Sequence, residues 1–341
     1  LYCSDIFWSS KRESAIEIKY EVREEKNMKK KCIGVDIGGT TVKIGIFEVD
    51  GTLLEKWEVP TRKEEQGRFI LSDVAASILD RLEKMGIELD QVAGAGLGVP
   101  GPVRADGHVE VCVNLGWKDV NPKQELSGLL KGIPVSIGND ANVAALGEMW
   151  QGGGKGYQDI VMVTLGTGVG GGVIIDEKII AGRHGLGGEI GHIHVRDEER
   201  EHCNCGGVGC LEQVASATGI VREAKRTMAA KSDFSAMRAF GQQITAKDVL
   251  DCAKEGDAMA LEVLETVGRY LGLVLAQVAL TVDPQAFVIG GGVSKAGQFI
   301  IDVIEKYYKK YSAISDNKGI LTLAKLGNDA GIYGAARLVL G

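Results

Sequence analysis

Between residues 187 and 212 the chain reads GGEIGHIHVRDEEREHCNCGGVGCLE, and the residue types are those of a metal centre. One histidine and three cysteines fall at the spacing His192-x10-Cys203-x-Cys205-x4-Cys210. Zinc prefers soft or borderline ligands in a tetrahedron, and one His with three Cys is a closed structural set. The competing explanation is scattered buried cysteines beside a surface histidine. Three cysteines within eight positions, amid glycine, fit core packing badly. Four protein ligands leave the metal no open position, so its expected work is to shape the loop. Glu189 and Glu212 stand at the loop's ends. His192 could bind metal through one ring nitrogen and donate from the other, its tautomer fixed by coordination.

Two glycine turns carry a second kind of chemistry. Gly38-Gly39-Thr40 and Gly166-Thr167-Gly168 each leave a strand-like segment, and without Cβ atoms their N–H groups can approach phosphate oxygens. Either turn alone could be an ordinary β-hairpin. Gly166, Gly168 and Gly171 also form a literal G-x-G-x-x-G, but a dinucleotide fingerprint must open a helix, and this one runs into Gly172-Val-Ile-Ile175. No Walker P-loop is present in the sequence. Asp36, at the end of the first strand, is placed to hold Mg²⁺ and offset phosphate charge. Asp140 could cap a helix, or accept the proton of a hydroxyl attacking phosphorus; Asn139 beside it could hydrogen-bond the same substrate.

These groups need a frame. Strands are expected near 32–36, 42–49, 53–59, 92–99, 134–137 and 286–289. Helices are expected near 67–84, 141–150, 216–230, 245–255, 258–282, 294–308 and 329–340. The last carries Gly331, Gly334, Ala335 and Ala336 on a small-residue face suited to close packing. The strand–glycine turn–strand opening returns at 161–175, with Asp36 falling on Thr164, Gly38 on Gly166 and Thr40 on Gly168. Such a repeat implies two similar lobes facing each other. The glycine run after Gln151 is the expected break, giving a small lobe of 28–150 plus 328–341 and a large lobe of 151–327. Strands alternating with helices in both halves make an α/β fold.

Composition narrows the class. A hydrophobic share of 45% and a charged share of 25% are those of a soluble globular chain, and 341 residues allow two cores. A formal charge of −7 argues against a broad nucleic-acid footprint. Seven cysteines, three of them in the cluster, suit a reducing cytosol better than a disulfide framework. No continuous 18-residue apolar span stands out; 271–282, interrupted by Gln277, reads as a buried helix, so a cytoplasmic location without a membrane is expected. Residues 1–27 do not match the pattern that follows. Met28 stands directly before the first strand and is the expected natural start, the preceding segment being a non-native or disordered extension.

These residues together carry a resemblance. Asp36-Ile-Gly-Gly-Thr-Thr41, Gly98-Val-Pro-Gly-Pro102, Asn139-Asp-Ala-Asn142, Leu165-Gly-Thr-Gly-Val-Gly-Gly171, Gly188-Glu-Ile-Gly-His192 and Cys203-Asn-Cys-Gly-Gly-Val-Gly-Cys210 match, in order, the motifs of the ROK family (repressors, open reading frames and sugar kinases). Within it, Trp57-Glu-Val-Pro-Thr61, Val113-Asn-Leu-Gly-Trp117 and Ala145-Leu-Gly-Glu-Met-Trp150 resemble the glucokinases of Gram-positive bacteria. The resemblance runs from Met28 to the C-terminus.

It implies an actin-like ATPase (ribonuclease-H-like) fold, two lobes with a cleft for sugar and ATP, and ATP-dependent phosphorylation of glucose at its 6-hydroxyl. It makes Asp140 the general base. Asn114, Asn139, Glu189, His192 and Glu212 become sugar contacts. Gly39, Thr40, Thr41, Thr167 and Gly168 surround the ATP phosphates, with Gly291 near the nucleoside. His192, Cys203, Cys205 and Cys210 match the family's zinc ligands, and a homo-oligomer, dimer or tetramer, is implied. Two alternatives stay open: a kinase for mannose or N-acetylmannosamine, and a sugar-responsive repressor. A repressor would need a helix-turn-helix ahead of Asp36; residues 1–27 are short for one and hold five Lys/Arg against six Asp/Glu. Polyphosphate is a conceivable donor, although the acidic balance suggests no polyanion track.

Overall fold

The computed structural model describes residues 30–104, 106–314 and 318–341. The expectations for Met28 and for 1–27 lie outside them. The described residues divide into two compact units, one running to Ile137 and taking back Ala335–Gly341, the other Gly138–Gly334.

In the first unit β1 (Lys31–Ile37), β2 (Thr41–Glu48), β3 (Leu53–Pro60), β4 (Val92–Val99) and, as far as Ile137, β7 (Val135–Asn139) form one sheet in the order β3-β2-β1-β4-β7. Strands β1, β2 and β3 are antiparallel neighbours, and β4 runs parallel to β1. The burial follows the order. The central strands β1 and β4 are buried almost throughout, while β3 at the edge alternates exposed and half-buried positions. Helix α1 (Ile70–Met85) buries Ile70, Leu71, Val74, Ala75, Ile78 and Leu82, the 3.6-residue stripe visible in the sequence, and ends on left-handed Gly86. A hairpin of β5 (Val109–Cys112) and β6 (Trp117–Val120), and helix α2 (Pro122–Leu129) capped by Asn121, fill a stretch in which no element was expected.

The second unit holds α3 (Asp140–Gln151), β8 (Ile160–Leu165), β9 (Val169–Ile175), β10 (Lys178–Ile179), α4 (Ala217–Ala230), α5 (Ala246–Lys254), α6 (Ala258–Val282), β11 (Ala286–Gly290), α7 (Gln298–Tyr311), β12 (Ile320–Leu323) and most of α8 (Ala330–Arg337). Its sheet order is β10-β9-β8-β11-β12, with β8, β9 and β10 antiparallel and β11 parallel to β8 and β12. This is the order of the first sheet. The repeat read in the glycine turns is therefore a repeat of topology. By length and composition α6 could cross a membrane, but half of its apolar window is buried inside this unit, against α4, α5 and α7. The small-residue face expected on the last helix is used: a Cβ on Gly334 would meet Val143 O at 1.6 Å.

The units part between Ile137 and Gly138, ahead of the glycine run 152–156 where the break was expected. Glu148 shows why that run stays with the second unit. Its side chain, fully buried, accepts from the N–H groups of Gly153 (2.7 Å), Lys325 (2.9 Å) and Leu326 (2.8 Å). One carboxylate thus clamps the end of α3 to the segment after β12. Glu148→Ala should leave three main-chain donors, that of Gly153 buried, without their acceptor and cost on the order of 3–5 kcal/mol. Glu148→Gln, which keeps an acceptor, should cost less. Chemical denaturation would test this, and an unchanged midpoint in the alanine variant would refute it.

Candidate functional site

In the first unit the turn between β1 and β2 is tied down on both sides. Gly38 N donates to Thr41 O at 3.0 Å, Thr61 N to Thr40 O at 2.9 Å, and Thr61 Oγ1 to Gly38 O at 2.7 Å. Thr40 is exposed at the tip and Gly39 half-buried. Asp36, half-buried, pairs in register with Lys43 on β2 and Gly98 on β4, so it sits at the carboxyl end of parallel strands. Asn114 is exposed in the β5–β6 connection, its carbonyl 3.6 Å from where a Cβ of Gly39 would lie. Asp36, Gly39, Thr40, Thr41 and Asn114 form one set.

The second unit gathers the rest. Its turn repeats the first: Gly166 N donates to Gly168 O at 2.9 Å, and Thr167 is exposed at the tip. Gly291 follows β11, and a Cβ there would meet Leu165 O at 2.5 Å, so the carboxyl ends of β8 and β11 lie side by side. Strand β9 then brings two further elements close through its glycines. A Cβ on Gly171 would stand 2.5 Å from Gly188 O, and one on Gly172 would stand 2.6 Å from the Cβ of Ala145. The loop bearing Glu189 and His192 and the helix bearing Asp140 both lie flush against this strand for that reason.

Asp140 is the first residue of α3, and the capping role falls to Asn139. The Asn139 side chain accepts from Ala141 N (3.0 Å) and Asn142 N (3.2 Å). It also donates from Nδ2 to Asp140 Oδ1 at 3.0 Å, and the same Oδ1 accepts from Ala141 N at 2.8 Å. Burial pushes the Asp140 carboxyl above its ordinary value, and the negative charge of Glu189 adds to the rise. The hydrogen bonds from Ala141 and Asn139 oppose it. A carboxylate so placed is a better proton acceptor than a free aspartate.

In the cysteine loop, the ligand atoms of His192, Cys203, Cys205 and Cys210 all lie within 4.8 Å of one another. His192 Nδ1 is 3.7 Å from Cys203 Sγ, and Cys205 Sγ is 3.7 Å from Cys210 Sγ. A tetrahedral ion about 2.3 Å from each sulfur sets its ligands roughly 3.7 Å apart, so the four fit such an ion. Burial pushes the Cys210 thiol up to about 12; a divalent cation among the sulfurs would reverse that by stabilising the thiolates. Nδ1 lies 3.7 Å from Cys203 Sγ, and Nε2 lies 3.9 Å from Glu189 Oε2.

Sequence reasoning passed over an ionic lattice behind this loop. Arg196 makes paired bonds to Glu223 (2.7 and 2.9 Å), and Arg226 reaches Glu199 (2.7 and 2.9 Å) and Glu223 (3.0 Å). The Glu199 carboxylate is wholly buried, and Arg226 holds it down to about 2. The lattice fastens residues 196–201 to α4. The signal was available as the charged run Arg196-Asp-Glu-Glu-Arg-Glu201 facing Arg222, Glu223 and Arg226 at helical spacing.

The family model described as "ROK family" matches residues 32–341. The chain belongs to the ROK family. It is 42% identical to a glucokinase of Halalkalibacterium halodurans over 311 residues, covering 90% of this chain and 94% of that protein. Among solved ROK structures, a Streptomyces griseus glucokinase in complex with glucose and AMPPNP matches at 35% identity and a TM-score of 0.68, covering 90% of this chain and 98% of that one. A hexokinase of the family from Thermus thermophilus matches at 30% identity and a TM-score of 0.75, covering 90% and 97%. Two mixed five-stranded sheets of one strand order are the ribonuclease-H-like halves of the actin-like ATPase fold, which the ROK chain adopts.

Proposed function

We propose that this chain is a glucokinase, transferring the γ-phosphoryl group of ATP to the 6-hydroxyl of glucose. The observation that carries the reading is the raised, half-buried carboxylate of Asp140 at the start of α3, beside the loop of Glu189 and His192, in a chain 42% identical to a glucokinase. Asp140 takes the proton of the 6-hydroxyl as that oxygen attacks phosphorus, its Oδ1 being held by Asn139 Nδ2 and Ala141 N. Asn139, Glu189, His192 and Glu212, with Asn114, bind the remaining hydroxyls, carboxylates as acceptors and amides in either sense. Thr167 and Gly168 take ATP phosphates, with Gly291 by the nucleoside, and the matching turn of the first unit, Gly39, Thr40 and Thr41, is a phosphate turn by the family resemblance. Asp36 would hold Mg²⁺, which would offset the phosphate charge. His192, Cys203, Cys205 and Cys210 would hold zinc, which would keep the sugar loop in shape. We infer a cytoplasmic homo-oligomer, on the strength of the family resemblance.

A coupled ATP assay over several hexoses tests the reading. The highest kcat/KM should fall on glucose, and a preference for N-acetylmannosamine or mannose would overturn the substrate assignment. The acid side of the pH profile tests the base. Asp140 must be ionised to act, so kcat falls as pH drops through its raised pKa. Glu189 contributes to that rise, and Glu189→Gln removes its negative charge. The acid limb of kcat should therefore move to lower pH in that variant, whatever happens to glucose KM. A limb that stays in place, or moves upward, would separate Asp140 from the titration.

A further inference from the structure

Glu212 stands between the cysteine loop and the turn that joins β8 to β9. Its Oε2 accepts from Val169 N at 3.0 Å, and its Oε1 lies 3.5 Å from Cys203 Sγ. Val169 is the first residue after Thr167 and Gly168. A Cβ on Gly168 would stand 2.2 Å from Oε2, so the carboxylate rests directly on the turn's backbone. The residues just after Glu212 hold the same turn from another direction: Ala217 N donates to Gly166 O, and Thr218 Oγ1 to Thr167 O, both at 2.8 Å. Ser216 Oγ closes the segment by donating to Glu212 O at 2.7 Å. The turn is thus gripped at three consecutive carbonyl or amide positions by residues 212–218. Glu212 supplies the one charged grip.

We propose that Glu212 is a positioning residue for the phosphate turn as well as a sugar contact, so that the cysteine loop governs nucleotide affinity through it. The inference rests on the reading that Gly166–Gly168 takes ATP phosphates. A turn that presents N–H groups to phosphate binds well only if it is ordered beforehand; otherwise binding must supply the ordering. The Val169 N–H, anchored on a carboxylate, fixes the turn where it enters β9. Sugar and nucleotide sites sharing one side chain are also coupled reciprocally.

The test is AMPPNP affinity by calorimetry, on zinc-loaded protein without sugar, alongside zinc content. Glu212→Ala should weaken AMPPNP about tenfold, the size of one hydrogen bond to a charged acceptor. Glu212→Gln, which keeps an acceptor for Val169, should bind within a few-fold of wild type. Gly168→Ala, whose Cβ would stand 2.2 Å from Oε2, should reproduce the loss. Wild-type affinity in Glu212→Ala, with Thr167→Ala and Gly168→Ala weakened, overturns the proposal and leaves the phosphate-turn reading standing. Wild-type affinity in all three removes that reading too. If Glu212→Ala sheds its zinc, Glu212→Gln decides: weak AMPPNP binding with zinc retained is fatal to the idea. Unchanged glucose affinity in Glu212→Ala, with AMPPNP weakened, supports the positioning role and removes Glu212 from the sugar contacts.

Discussion

Replacing Asp140 by asparagine should lower kcat by about 10²–10⁴-fold, the usual contribution of a general base. Glucose affinity should stay close to wild type. The substitution is nearly silent structurally: an asparagine Oδ1 can still accept from Ala141 N and Asn139 Nδ2, the two bonds that Asp140 Oδ1 now receives. What disappears is the ability to take a proton. The stability effect has a definite sign as well. The folded-state pKa of Asp140 is raised, so ionising it costs the folded state more than the unfolded one. That cost is absent below the ordinary aspartate range and grows as pH climbs through the raised value. At neutral pH Asp140→Asn should therefore have a Tm equal to or above that of wild type. Steady-state kinetics, glucose titration and a melting curve check the three parts. Near-normal kcat would remove Asp140 from the base role, and a fall in Tm would recast it as a structural group.

Much of this was readable from residue types because the chemistry and the fold use the same signals. The two glycine turns had to leave strands, and they do, at Ile37 and Leu165. Their recurrence announced two sheets of one order. Asp140 was ambiguous in the sequence between cap and base; the structure gives the cap to Asn139, which a one-residue difference in helix start could not have told. The unit boundary was misplaced because a glycine run was taken for a linker. A buried acceptor, Glu148, ties that run to Lys325 and Leu326 just after β12, more than 160 residues further along the chain. Nothing local in the run marks that partner. The β5–β6 hairpin and α2 escaped notice because both are short: β6 exposes two of its four positions, and α2 buries only Pro122 and Leu126. The lattice of Arg196, Glu199, Glu223 and Arg226 was written in charged residues that usually mean a solvated face. Its burial is a tertiary fact.

Removal of the zinc proposed for the cysteine loop should act on substrate binding before chemistry. Cys205 is the exposed ligand, so Cys205→Ser is the mildest way to open the cluster. Residues 193–211 contain no helix or paired strand beyond the isolated bridges His194–Cys210 and His202–Val208, and few main-chain bonds join them. The ion lattice secures the stretch 196–201 and main-chain bonds hold His192, Cys203 and Cys210 (to Glu189 O, Gly207 O and Gln213 Oε1), while the proposed zinc would fix the side chains of His192 and the cysteines. With it gone, the His192 ring loses the partner that fixes its tautomer and direction, and Glu212 loses a fixed neighbour in Cys203. Glucose KM should rise about 10–100-fold, as when an orienting partner of a site is removed. The drop in kcat should be smaller, because Asp140 sits on α3 and not on the loop. Each kcal/mol lost by the second unit should lower its Tm by about 2–4 °C. The lattice limits the damage, so Cys205→Ser should melt earlier yet remain folded. Zinc content, KM, kcat and Tm measured on one preparation decide between roles. A collapse of kcat at unchanged KM would place the metal in the chemistry, and unchanged KM with zinc absent would show that the loop keeps its shape unaided.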